Sequence, residues 1–300
     1  MLGFGSSPVS EYEASGEIER VYHEIRQTMR VSGVNLNFRT WAGYDNLLPV
    51  LWDSLRPNCE TRAFHSFADE LRTHAAESAL SLARIKANES VHLGKSQLFQ
   101  LKKSLQLYHY INPKLLLFTS AVRLALNGEL PNPASARADD SVPLMQRGIP
   151  GDMYPMVMLD EQPDDATTQS IFEDIKKTLD LKSINSDYRT LALWPSYLQA
   201  MWTGLKPTVQ SAEYQSAADQ LRERSRSLAK QLPRPVALSV EAVKAANANV
   251  EKAIETSQSF EQLLPGLIIN IAICLRDYLT DEELPSSPWP AASGVAPAIS

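Results

Sequence analysis

The chain repeats itself. Displaced by 150 positions and laid over itself without a gap, IRQTM at 25–29 falls on IKKTL at 175–179, and VNLNFRTWA at 34–42 falls on INSDYRTLA at 184–192. LLPVLWDSLRP at 47–57 then meets YLQAMWTGLKP at 197–207, and SFADELR at 66–72 meets SAADQLR at 216–222. Between 21–72 and 171–222, 15 of 52 aligned pairs are identical, and others such as Val34/Ile184 and Phe38/Tyr188 are conservative. The match returns later at an offset of 152, with Tyr108…Pro113-Lys114-Leu115 against Phe260…Pro265-Gly266-Leu267. Self-similarity over so long a stretch means one folding unit used twice. Two related units packed face to face leave a cleft between them.

Within each copy the apolar period is helical. Ile18, Val21, Tyr22, Ile25 and Met29 recur at three- and four-residue spacing, and Ser15 precedes an acidic first turn. Leu48, Leu51, Trp52 and Leu55 mark a second helix that Pro57 is expected to end. Helices over 60–82, 95–110 and 114–127 follow, and the second copy repeats the order. No run alternates as a strand does. The expected fold is all-α, with two pseudo-symmetric helical repeats of about 130 residues (12–127 and 166–284) and an active site between them. A linker over 128–165 carries Pro131, Pro133, Pro143, Pro150, Pro155 and Pro163, a density that rules out a continuous helix. Its Met153, Tyr154, Met156, Val157 and Met158 predict that it packs on the surface rather than hanging free. The tail, 285–300, reads as irregular.

Several functions are disfavoured. A net charge of −6, from 29 basic and 35 acidic residues, argues against nucleic acid as the main partner. Cys59 and Cys274 lie far apart and form no metal-ligand spacing, so they read as buried, reduced thiols of a cytoplasmic protein. Met1–Glu11 lacks the pattern of a secretion signal. The most apolar run, Leu263–Leu275, is too short to span a bilayer and reads as a buried helix. There is no nucleophile elbow, P-loop, dinucleotide fingerprint, zinc-protease helix or calcium loop. His23, His65, His74, His92 and His109 are scattered and read as surface or structural. Trp52 and Trp202 are repeat equivalents, which favours packing.

The chemistry lies where the copies differ. Asn35-Leu36-Asn37 in the first copy becomes Asn185-Ser186-Asp187 in the second. Each segment reads as a helix start, and Asp187 has the side chain of a helix cap. If these starts face the cleft, their free N–H groups suit a small carboxylate. Asp187 then stands beside the bound anion, ready to take a proton from water, while Asn37 offers only a neutral amide. Asn112 precedes Pro113 and can cap a helix beginning there, yet its repeat counterpart is Leu264, so the fold itself does not demand an amide.

SGEIERVYHEIRQTMRV, YHYINPKLLL and NSDYRTLALWPSYLQ resemble the group I 2-haloacid dehalogenases, the cofactor-independent family of D-specific and D,L-acting enzymes, over residues 12–280. The resemblance implies that Asp187 is the base and Asn112 the amide that positions water. Water would attack Cα of a short 2-haloacid and displace halide with inversion, with no ester to the protein and no cofactor or metal. It places the substrate carboxylate on the helix starts around Leu36 and Ser186, with Tyr108 and Phe260 as aromatic walls. D,L-acting members resemble Ala where this chain has Asn185, which implies the D-specific branch. Thr61 matches the D,L-acting enzymes, but His65 stands where they carry an acid. A homo-oligomer, dimer or higher, is expected, with no nucleic acid or membrane partner. The alternatives are a D,L-acting enzyme and a non-catalytic helical protein that binds carboxylates.

Overall fold

The computed structural model describes residues 7–130 and 141–290. Pro131 and Pro133 of the linker, the start of Met1–Glu11 and most of the 285–300 tail lie outside them. The described residues form twelve α-helices. In the first half these are α1 (Gly16–Met29), α2 (Leu36–Ala42), α3 (Leu47–Cys59), α4 (Arg62–Ser81), α5 (Ala87–Ser90) and α6 (Lys95–Leu126). In the second they are α7 (Ala166–Leu179), α8 (Ser186–Leu191), α9 (Pro195–Val209), α10 (Ala212–Ala229), α11 (Val240–Ala245) and α12 (Val250–Leu275). The one β-type pairing among the described residues is an isolated bridge between Thr61 and Leu144.

The repeat is visible bond by bond. Trp52 Nε1 donates to Glu24 at 2.8 Å, and Trp202 Nε1 to Asp174 at 2.7 Å, 150 residues on in both partners. The same two acids pair with Arg56 and Lys206. Thr61 and Ser211 each cap the following helix by accepting from the backbone N–H three residues ahead. Arg30 and Asp180 each take a left-handed conformation after α1 and α7. Val34 and Ile184 each donate a backbone N–H to a carboxylate 23 residues upstream, Glu11 and Glu161. The equivalence therefore reaches into the segments before α1 and α7. Val9 N–H bonds the Arg39 carbonyl as Leu159 N–H bonds that of Arg189.

The expectation of breaks at proline is corrected. Pro57 lies inside α3, and α6 runs unbroken through Pro113, so 95–110 and 114–127 are one helix. A proline inside a helix leaves the carbonyl four residues earlier without its donor. At Pro113 that carbonyl belongs to His109, and Arg72 Nε, from a fully buried guanidinium, donates to it at 3.0 Å. Leu115, Leu116, Leu117 and Phe118 are consecutive and all buried, so this stretch of α6 is covered on every side. Its repeat mate α12 packs along it at the centre of the molecule. At 26 residues α12 is longer than the apolar stretch in the sequence implied. It is the one helix among the described residues long and apolar enough to cross a membrane, and 67% of its most apolar window is buried inside the protein.

Parts of the linker are held to the protein, although Val157, one of its apolar residues, has an exposed side chain. Met145 and Met153 are buried, the Tyr154 carbonyl accepts from Ser32 Oγ at 2.8 Å, and the Val157 carbonyl accepts from Thr190 Oγ1 at 2.8 Å. His65 and His109 are buried with Nε2 against the carbonyls of Cys59 and Leu284, a structural use of both rings.

Candidate active site

The halves exchange contacts at the centre. From α6 of the first half, Tyr108 reaches α8 of the second, where its hydroxyl meets the Ser186 carbonyl at 3.1 Å and Thr190 Oγ1 at 2.7 Å. In the other direction Trp41 Nε1 on α2 donates to Thr256 Oγ1 on α12 at 2.8 Å. The short helices α2 and α8 are thus held against the partner half's long helix, and their N-termini converge.

Between them lies a small cavity of about 20 Å³, room for about one water molecule. Its walls come in repeat-equivalent pairs: Asn35 and Asn185, Leu36 and Ser186, Asn37 and Asp187, Asn112 and Leu264, Leu115 and Leu267, closed by Phe260 and Leu263. The cavity therefore straddles the pseudo-symmetry axis, with Phe260 and Leu263 closing it from the second half only. On one side Asn112 Nδ2 donates to Asp187 Oδ1 at 2.6 Å. On the other, the equivalents are Asn37 and Leu264, and neither polar atom of the Asn37 side chain has a protein partner.

Asp187 is buried, and burial pushes its carboxyl up to about 6; the hydrogen bonds from Asn112 and from its own backbone N–H pull the other way. Such a group is ionised at neutral pH yet binds a proton more firmly than an ordinary aspartate. Asn35 Oδ1, Asn185 Oδ1 and Ser186 Oγ are also buried without a protein partner. Buried polar atoms left in this state are costly unless something fills the space between them.

The structure brings Asp187, Asn112, Asn185, Ser186, Leu36 and Phe260 together around one cavity. Neither helix-cap reading holds. Asn112 sits mid-helix, and the α8 N-cap is Asn185, with Asp187 two residues further in and no side-chain cap bond. Leu36 and Ser186 are the first residues of α2 and α8, whose opening N–H groups have no carbonyl within the helix to pair with. Tyr108 stands behind the walls: it is not among the residues lining this cavity or the larger cleft beside it. Its hydroxyl is spent on α8, so it holds the helix that carries Asp187, and Phe260 is the aromatic residue lining the small cavity. Asn35, Asn37, Leu115, Leu263, Leu264 and Leu267 were not among the predicted site residues. Asn35, Asn37 and Leu264 were findable as the repeat partners of Asn185, Asp187 and Asn112; the leucines Leu115, Leu263 and Leu267 carried no such signal.

The chain is 28% identical over 273 residues to an (R)-2-haloacid dehalogenase of Pseudomonas putida, covering 88% of this chain and 90% of that protein. It is 28% identical over 226 residues to a configuration-inverting 2-haloacid dehalogenase of Pseudomonas sp. (strain 113), covering 73% and 72%. A solved complex of a D-2-haloacid dehalogenase mutant with D-2-CPA superposes with a TM-score of 0.82 at 25% identity, over 91% of this chain and 96% of that one. The model of the family described as "Halocarboxylic acid dehydrogenase DehI" matches residues 32–188 and, again, 184–278. The chain belongs to this family.

Proposed function

We propose that the chain is a D-2-haloacid dehalogenase that hydrolyses short 2-haloalkanoic acids to L-2-hydroxy acids by direct attack of water. The observation that carries the reading is the 2.6 Å bond between Asn112 and Asp187 at a cavity the size of one water. Asp187 takes the proton of that water as its oxygen attacks Cα, and the carbon–halogen bond breaks on the opposite face, so the configuration inverts and halide leaves. Asn112 fixes both the carboxylate and the water, which shortens the search for an attack geometry. The N–H groups opening α2 and α8, at Leu36 and Ser186, hold the substrate carboxylate. Ser186 Oγ and the Asn37 amide are unpaired donors for the charge that develops on carboxylate and halide. Asn185, buried in the wall, fills the space that an L-substrate's side group needs.

The test is halide release from each enantiomer of 2-chloropropionate with the product's configuration determined. L-lactate from the D-substrate alone supports the reading. Equal rates from both enantiomers would make the chain a D,L-acting enzyme, and release from neither would leave a carboxylate-binding protein. We place the activity in the cytoplasm, supported by two buried free thiols, Cys59 and Cys274. We further propose a homo-oligomer, supported by the exposed Leu98 and Phe99 early in α6; a monomer in sedimentation velocity would remove it.

A further inference from the structure

Beside the small cavity, and sharing Leu36, Asn185, Phe260, Leu263 and Leu267 with it, lies a cleft of about 620 Å³. Its inner end is apolar where those leucines and Phe260 stand. Asp180, Lys182, Gln215 and Gln262 give it a polar wall further out. Pseudo-symmetry should supply a second such cleft in the first half, and the structure shows what fills that place. The equivalent of Gly266 is Lys114, that of Gln262 is Tyr110, that of Gln215 is His65, and that of Asp180 is Arg30. Lys114 is fully buried, donates to the Met29 carbonyl at 2.9 Å and lies 3.5 Å from the centre of the Tyr110 ring. Tyr110 and His65 are also buried, whereas Gln262 and Gln215 are exposed. The first half is plugged at the position where the second half is open.

We infer that the open cleft is the entry path of the site and the subsite for the substrate's alkyl tail, kept open by Gly266 in place of the lysine that seals its twin. This rests on the dehalogenase reading. The small cavity has room for the attacking water but not for a whole 2-haloacid, so the substrate extends across the boundary at Phe260. With its carboxylate on α2 and α8 and Cα facing Asp187, carbons beyond the third run along Leu263 and Leu267 into the cleft. A methyl group on Gly266 would come within 2.7 Å of the Tyr214 hydroxyl, so that stretch of wall does not tolerate even a small side chain without adjustment. The occupant of the cleft is the alkyl tail of a 2-haloalkanoate. Each methylene buried there tightens binding about fourfold.

The experiment measures kcat/KM for halide release from D-2-chloropropionate and D-2-bromohexanoate. One variant narrows the cleft from its half-buried wall (Ala218→Leu); a second rebuilds the plug (Gln262→Tyr with Gly266→Lys). Ala218→Leu should cost the six-carbon substrate about tenfold relative to the three-carbon one. The rebuilt plug should depress both substrates by at least about tenfold with the circular dichroism spectrum unchanged. Equal effects of Ala218→Leu on the two substrates, or none on either, would overturn the inference while leaving the dehalogenase reading intact. A folded plug variant with native rates would overturn it too; if that variant does not fold, Ala218→Leu decides alone. Halide release from no substrate by the native protein would end the dehalogenase reading, and the inference with it.

Discussion

Replacing Asp187 by asparagine should abolish turnover and make the protein more stable, with a gain that depends on pH. In the folded chain the Asp187 carboxyl rises from 3.8 to about 6, chiefly through burial. A carboxyl raised in this way is a proton-binding site of the native state. Its stabilisation is complete below about pH 4 and is lost as pH rises through about 6. Above that the native state carries a buried charge that the unfolded chain leaves in water. A rise of roughly two pH units corresponds to a cost on the order of 3 kcal/mol at pH 8. Asparagine removes this charge and keeps an acceptor for Asn112 Nδ2, but adds an amide N–H₂ without a partner, which returns about 1–2 kcal/mol. The net gain at pH 8 is about 1–2 kcal/mol, and at pH 5 it narrows by about as much again because the native carboxyl is then largely protonated. Urea denaturation of both proteins at pH 5 and pH 8 measures it. A stability difference that stays constant across this range would refute the claim that Asp187 is held charged against its environment.

Further outcomes follow from the same geometry. Asn112→Leu, which copies Leu264 of the other half, should lower kcat/KM about a hundredfold. The acid limb of its pH–rate profile, near 6 in the native enzyme, should also move upward, because the Asn112 bond that lowers the Asp187 carboxyl is gone; an unmoved limb would make Asn112 a structural amide only. Asn185→Ala should bring the rates for D- and L-2-chloropropionate to within about tenfold of each other, as read by halide release from each enantiomer. Arg72→Met should destabilise the chain by about 1–3 kcal/mol in urea, since the carbonyl that Pro113 leaves unpaired at His109 then has no donor.

Most of the architecture was legible because duplication writes it twice. The gapless alignment of 21–72 on 171–222 already pairs Trp52 with Trp202 and Glu24 with Asp174, and those four residues make the same bond in both halves. Prolines misled because their local effect on a helix is strong, while the remedy is distant in sequence: Arg72 is 41 residues before Pro113. The candidate site was legible through its asymmetry. Asp187 facing Asn112, where the other copy has Asn37 facing Leu264, is a difference that packing does not require. The bonds of Tyr108 to α8 were not legible, because a resemblance conveys proximity to a site but not the direction of a hydroxyl. The open cleft was hidden for the opposite reason. Only burial shows that Lys114 and Tyr110 fill a space that Gly266 and Gln262 leave open.

The central claim is that water, activated by Asp187 and placed by Asn112, reaches Cα directly. A single turnover of D-2-chloropropionate in ¹⁸O-water, with enzyme in excess over substrate, tests it most directly. The account predicts one labelled oxygen at C2 of L-lactate and none in the protein. Unlabelled lactate, with the ¹⁸O found instead in the Asp187 side chain after that one turnover, would show that the carboxylate itself attacks carbon and would contradict it.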